Sequence, residues 1–452
     1  MDRPNVLLLI TDQQTRSTMR AYGNERTRTP GMDALTDGGV AFERSYCASP
    51  VCSPGRASIL TGVMPHGTGV NVNDVPLRDD VATVGERFRE AGYDTAWAGK
   101  WNLPESFPVG TDATRGFDNL PWQRREYRDL GADMDEHIAD EAVRFLAADR
   151  PDPFFLGISL YNPHDICFWI MDRDHDLLPA VPDDAELPEL PRHFDTTAPE
   201  PEFVGWLRRR DAELPSPDGG LYGFTEIRWT DAWDERHWRR YLYLYDRLVE
   251  LVDVQIARVL AALEEDSHAD DTIVVLTSDH GEGTAAHRWV TKEMFYEEPV
   301  TVPLVVRWPG HIPAGRVDRS HLVSSVDIVP TLLDYAGIGD AADVQGVSLR
   351  PLIDDPTAAG REYLVTEMHP DAFRDDLKGR MVRTDRYKYM AFSAGSSGEM
   401  LFDLHGDPNE SIDLAASDEH NGILEHHRQL LEAWMAETND DFAIGSATLS
   451  GG

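Results

Sequence analysis

Lysine is almost missing from this chain. Four positions carry it, Lys100, Lys292, Lys378 and Lys388, among 42 basic residues that are otherwise arginine. Cysteine is nearly as scarce, and the odd set Cys47, Cys52 and Cys167 excludes a disulfide framework. Long apolar runs are missing too. Val6–Ile10 is five residues long, too short for a secretory h-region of about 7–15 residues, and no run approaches the roughly 18 that a membrane span needs. We therefore expect a soluble, cytoplasmic protein. Positive charge is in deficit overall, with 80 acidic against 42 basic residues and a net charge of −38. Such a field excludes nucleic acid and anionic membranes as natural partners. Surplus carboxylate with so little lysine marks a halophilic composition, because salt near 1 M shortens the Debye length to about 3 Å.

What is present is enough for a large core: 452 residues, 41% of them hydrophobic. Four short apolar runs read as strands buried on both faces. They are Val6–Ile10, Pro153–Leu160, Thr272–Thr277 and Val302–Arg307. Helical periodicity falls between them, at Val81–Ala91, Asp135–Ala148 and Trp238–Glu264. The alternation predicts an α/β fold, a large mostly parallel sheet sandwiched by helices. Residues 165–235, rich in Pro, Asp and Trp, read as long surface excursions that shape a substrate site. After residue 350 the pattern changes to short strands and one amphipathic helix, Gly422–Glu437. We place a catalytic domain at 1–350 and a smaller α+β domain with antiparallel strands at 351–452, with a frayed end at 445–452.

Ligands in open α/β sheets sit beyond the carboxyl ends of the strands. Three of the four runs end in polar residues: Asp12 and Gln13, His164, and Asp279-His280. Asp12, Asp279 and His280 supply hard oxygens and an imidazole, the donors a hard divalent cation takes. The most specific local feature is Cys52-Ser53-Pro54-Gly55-Arg56, continuing to Thr61-Gly62. It reads as a turn entering a short helix, where free backbone N–H groups and Arg56 would meet an anion.

This segment resembles the sulfatase signature through Cys52, Pro54, Arg56, Thr61 and Gly62. The resemblance spans most of the chain. Asp12-Gln13 and Ser278-Asp279-His280-Gly281 look like the metal-binding segments of the subgroup with choline sulfatases and phosphonate monoester hydrolases. Gly99-Lys100-Trp101, Asn162-Pro163-His164 and the segment at Lys292 look like the motifs supplying two lysines and a substrate-side histidine. The resemblance implies an alkaline phosphatase-like fold and a sulfuric ester hydrolase. It implies a Cys52 oxidised to formylglycine by a formylglycine-generating enzyme, so that oxygen replaces a sulfur ill-suited to a hard ion. It implies one divalent cation, Ca2+ before Mn2+ or Mg2+, on Asp12, Gln13, the side chain at 52, Asp279 and His280. Arg56, Lys100 and Lys292 would steady the sulfate oxygens, and His164 or Lys292 would assist the leaving alcohol. Two of only four lysines occupy these motifs, as expected where a compact ammonium is needed.

One departure stands out. Many members read Gly-Lys-Trp-His where this chain has Gly99-Lys100-Trp101-Asn102, and an amide cannot act as a base. The fold leaves two alternatives open: a phosphodiesterase or phosphonate monoester hydrolase, and a binding protein with unmodified Cys52. The expected partner is a small-molecule or saccharide sulfate ester, with room for a homo-oligomer. Trp and acidic residues in 165–240 suit a sugar or a cationic group such as choline, and His287 is a weaker candidate for the pocket lining.

Overall fold

The computed structural model describes residues 3–73, 75–103, 114–121, 131–150, 153–171, 178–183, 186–196, 199–209, 230–265, 268–339, 342–370, 374, 376–395, 398–445 and 449. The strands in chain order are β1 (Asn5–Asp12), β2 (Val40–Phe42), β3 (Ser45–Tyr46), β4 (Asp94–Gly99), β5 (Asp118–Asn119), β6 (Phe154–Pro163), β7 (Thr272–Ser278), β8 (Leu304–Arg307), β9 (Arg316–Asp318) and β10 (Val323–Ser324), followed by β11 (Tyr363–Met368), β12 (Gly379–Thr384), β13 (Tyr387–Phe392) and β14 (Glu399–Asp403). The main sheet has the order β5-β4-β6-β1-β7-β8-β2-β9. Every residue of β1 and of β7 is buried, which is why both read as unbroken apolar runs.

The pairings within this sheet are parallel except at β8, which runs against both β7 and β2. The sequence gives no sign of this reversal. Its cause is the connection: residues 279–303 leave the carboxyl end of β7 and enter β8 without a long helix to carry them across the sheet. A parallel partner would need such a crossover.

Helices cover both faces. The helix Glu235–Glu265 buries a stripe that includes Tyr241, Tyr245, Leu248, Val252, Ile256 and Leu263. Its Asp253 carboxylate accepts from the N–H groups of Gly31 and Met32, so it satisfies the open end of the helix Pro30–Asp37. Thr83 and Glu86 form a reciprocal cap that fixes the start of Val84–Glu90. Strands β11 to β14 form a separate antiparallel sheet in sequential order, packed against the helix Asn421–Thr438 through Leu424 and Leu431. No helix among the described residues is long and apolar enough to cross a membrane.

The reading of 165–235 as surface excursions needs correction. Its described parts include the helices Ile166–Ile170 and Glu202–Arg209, with Ile166, Trp169, Phe203, Val204 and Trp206 buried. Phe203 stacks on Phe392 of β13 at 4.8 Å between ring centroids. These aromatics join the main body to the second sheet, and their short elements gave too few turns for a period to show. Residues 172–177, 184–185, 197–198 and 210–229 lie outside the described residues, as do 446–448 and 450–452 of the end expected to fray.

Candidate active site

The central strands β6, β1 and β7 are neighbours, and their carboxyl ends bring Asp12, Ser159 and the Asp279 turn together. The helix Cys52–Thr61 points its first residue at this junction. Gly55 makes the approach possible, because a Cβ there would lie 2.6 Å from the Asp279 carbonyl oxygen. The helix closes at Gly62, whose φ of 73° suits a residue without a side chain.

Arg56 is fully buried and braces the two carboxylates. Its Nε donates to Asp279 Oδ2 at 2.9 Å, and its Nη2 to Asp12 Oδ2 at 3.0 Å. Its Nη1 donates to the Lys100 carbonyl at 3.0 Å and to Ser159 Oγ at 2.6 Å. Four of the five guanidinium N–H directions are thus taken by the protein. Arg56 is a brace for the carboxylates, where the sequence reading had it on the sulfate oxygens. Lys100 Nζ donates to the same Asp12 Oδ2. Burial alone would raise the Asp12 pKa, but Lys100, with help from His164, Arg56 and Lys292, holds it well below the usual carboxylate range.

The remaining atoms form a donor set. Asp12 Oδ1 is buried with no hydrogen-bond partner among the described residues. His280 Nδ1 donates to the Gly281 carbonyl at 2.8 Å, and Nε2 faces Cys52 Sγ at 3.2 Å. Burial lowers the His280 pKa less than Asp279 and Cys52 raise it, and the neutral ring, the form that binds a cation, presents its Nε2 lone pair here. Asp279 Oδ1 accepts from the N–H groups of Gln13 at 3.0 Å and His280 at 2.9 Å. Ligand atoms of Asp12, Cys52, Asp279 and His280 all lie within 4.8 Å of one another. An orphaned carboxylate oxygen beside an imidazole lone pair fits a divalent cation.

Lys292 approaches from the other side. Its Nζ donates to Cys52 Sγ at 2.9 Å and to Gln13 Oε1 at 3.1 Å. Burial lowers the Lys292 pKa less than the facing Cys52, Cys167 and Asp12 raise it, so the ammonium is retained. For the thiol the balance is reversed: burial raises its pKa, but Lys292 and Lys100 bring it down to about 7. His164 lies within electrostatic reach of Asp12, Lys100, Lys292 and His280. Burial, aided by the two ammonium groups, keeps its imidazole neutral. Asn102 is locked to the residue after Cys52: Ser53 Oγ donates to its carbonyl at 2.6 Å, and its Nδ2 donates back to Ser53 Oγ at 2.7 Å. In a protein of charge −38, the site thus gathers Arg56, Lys100 and Lys292 around two carboxylates, an excess of positive charge suited to an anion.

A family model described as Sulfatase matches residues 4–338. The chain belongs to the sulfatase family. A second model, N-sulphoglucosamine sulphohydrolase, C-terminal, matches residues 285–437. The enzyme is 32% identical to a Delta 4,5-hexuronate-2-O-sulfatase of Bacteroides thetaiotaomicron, over 98% of this chain and 90% of that one. The solved structure of a 2-O GAG sulfatase superposes with a TM-score of 0.83 at 30% identity, covering 99% of this chain and 95% of the other. A phosphonate monoester hydrolase of Agrobacterium radiobacter shares the fold, with a TM-score of 0.78 at 23% identity over 96% of each chain. The enzyme is a sulfuric ester hydrolase on an alkaline phosphatase-like fold, and these relatives favour neither alternative reading of the sequence.

The structure brings Asp12, Gln13, Cys52, Arg56, Lys100, His164, Asp279, His280 and Lys292 to one place. His287 stands apart from these contacts: it stacks on Tyr296 at 3.8 Å and meets Thr196 Oγ1 at 3.3 Å. Lys388 is buried between Glu297 and Glu410 in a structural cluster. Sequence reasoning missed Ser159, Tyr245 and Glu282. Ser159 is the single serine of a mostly apolar strand, and Glu282 follows His280 by two positions. Either could have been suspected from that placement. Tyr245 Oη donates to the Gln13 carbonyl at 2.7 Å and accepts from Thr15 N–H at 3.0 Å, a contact between residues 230 apart that no local pattern announces.

Proposed function

We propose that this sulfatase cleaves a sulfated saccharide, with Cys52 oxidised to formylglycine and a calcium ion held by Asp12, Gln13, Asp279, His280 and residue 52. The observation that carries the reading is the convergence of a buried Asp/Cys/Asp/His group with two ammonium groups, Lys100 and Lys292, in an otherwise anionic protein. The saccharide class is supported by the relatives named above, which act on a hexuronate 2-O-sulfate and as a 2-O GAG sulfatase.

Formylglycine in its hydrated form supplies an oxygen nucleophile, and a divalent ion supplies charge to acidify it and to polarise the sulfate. The chain's own residues do the rest. Arg56 bridges the two carboxylates and offsets their charge. Lys292, held as an ammonium beside residue 52, favours the deprotonated nucleophile and neutralises charge developing on the sulfate oxygens. Lys100 does the same from the Asp12 side. Burial and the two ammonium groups keep His164 neutral when no anion faces it. The negative charge of a bound sulfate raises its pKa and lets it pass a proton to the departing alkoxide.

The test is direct. Peptide mass spectrometry of native protein is expected to find Cys52 with sulfur exchanged for oxygen and two hydrogens lost. Sulfate release from unsaturated and saturated 2-O-sulfated uronides should stop with a chelator and resume with Ca2+. Lys292→Ala should lower kcat by about 10²–10³. An unmodified Cys52 in active native enzyme, or full activity in chelator, sinks the proposal.

A further inference from the structure

Gln13 carries an amide in a place where its two ends are not equivalent. With oxygen toward Lys292 it adds a neutral donor to the ion site. Turned over, its NH2 would oppose both the ammonium and any cation. We infer that Glu282 is the positioning residue that decides this, and that it ties the orientation of Gln13 to the turn carrying Lys292. The inference rests on the calcium site proposed above and adds a residue to it.

Gln13 Nε2 donates to Glu282 Oε2 at 2.5 Å, while Gln13 Oε1 accepts from Lys292 Nζ at 3.1 Å. Burial raises the Glu282 pKa against the donors Tyr241, Gln13 and Thr291. In its carboxylate form it only accepts, an ammonium only donates, and the two neighbours then permit one orientation of the amide between them. Glu282 is itself fixed by two distant elements. Its Oε1 accepts from Tyr241 Oη on the helix Glu235–Glu265, and from the N–H of Thr291, the residue before Lys292. Thr291 is left-handed, with φ 64°, and so is Glu293, with φ 65°. The turn presenting Lys292 therefore has a conformation that bulky residues seldom adopt unless held, and the bond to Glu282 is one of its holds. Glu282 is fully buried and offers no atom to the substrate. Its effect is exerted through Gln13 and Lys292.

Titration of metal-stripped enzyme with Ca2+ alone, followed by calorimetry, tests the assignment. Glu282→Gln places an NH2 against the Gln13 NH2 and turns that amide over. Ca2+ binding is expected to weaken by about 10-fold or more, and kcat to fall further than KM changes. The exchange Q13E/E282Q restores one acceptor and one donor with the polarity reversed. It should return Ca2+ binding to the wild-type level or tighter. Because a carboxylate at 13 tightens Ca2+ binding by itself, the discriminating comparison is Q13E alone, which sets two carboxylates face to face and should bind Ca2+ less tightly than the double variant. An E282Q that fails to fold, while the double variant folds and binds, also supports the inference. Unchanged Ca2+ affinity in E282Q, a double variant no better than E282Q or than Q13E, or failure of E282Q and the double variant to fold overturns it. Wild-type enzyme that does not bind Ca2+ at all overturns the calcium reading itself, and this inference with it.

Discussion

Arg56 shows how much a single side chain organises here. Asp12 and Asp279 are fully buried, and two uncompensated carboxylates so close would repel each other and resist desolvation. The guanidinium lies between them with near-ideal contacts, so its removal leaves buried charge unpaired. Arg56→Ala is expected to destabilise the metal-free enzyme by about 3–5 kcal/mol, measured by urea denaturation in chelator. Added Ca2+ should recover part of that loss, because the ion replaces the missing positive charge. A loss under about 1 kcal/mol would show that the carboxylates do not depend on this brace. At this scale the sequence was informative about identity and less so about role. The spacing from Cys52 to Arg56 pointed to an anion, yet the arginine's partners are residues 12, 100, 159 and 279, which no local pattern connects.

At the scale of the element, close approach decides where the groups of the candidate site sit. Strand β4 delivers Lys100 by ending beside β6, where Lys100 N–H donates to the Ser159 carbonyl at 2.9 Å. Gly99 has a φ of 98°, and a Cβ there would stand 1.9 Å from the same carbonyl oxygen. Gly99→Ala must therefore push the strand ends apart. Activity is expected to fall at least 100-fold, as for a misplacement of about 1 Å, together with a lowered Tm. Unaltered kcat in that variant would show that Lys100 does not need this pairing. Strand β4 is also an element that periodicity did not single out. Its run Thr95-Ala96-Trp97-Ala98 is short and has no aliphatic residue larger than Ala, its one large side chain, Trp97, packing across Gly157 of β6. The runs at β1 and β7, with buried aliphatic residues throughout, were legible for the opposite reason.

For the whole molecule, two long-range charge effects give measurable consequences. Lys388 of β13 lies buried against Glu297 at 3.0 Å and Glu410 at 2.8 Å, linking the second sheet to the segment after Lys292. Burial, with Glu297 and Glu298 nearby, outweighs Lys388 and raises Glu410 to about 7. An unfolded glutamate titrates near 4.3, so the unfolded chain releases this proton first. Glu410's contribution to stability is full below about pH 4.3 and is lost as pH rises to 7. Glu410→Gln should flatten that part of the stability profile, read as urea-denaturation free energies at pH 5 and pH 8. An unchanged slope counts against a raised Glu410. The second effect is the net charge of −38. Self-repulsion is screened as the Debye length falls from about 30 Å at 0.01 M to about 3 Å at 1 M salt. Tm should rise over that range of KCl, and a flat or falling Tm would remove the case for a halophilic composition.

The sequence by itself determined the fold class, the family and which residues meet at the candidate site. Those follow from local facts: apolar runs long enough to be buried strands, polar residues at their ends, and a signature within eleven consecutive positions. Tertiary structure alone decided what each group touches. It turned β8 against its neighbours, made Arg56 a brace, and buried the aromatics of 166–207. It also set Gln13 between Glu282 and Lys292. Each of these depends on contacts between residues far apart in the chain, where the close packing of side chains, and not the order of residues, fixes which donor meets which acceptor.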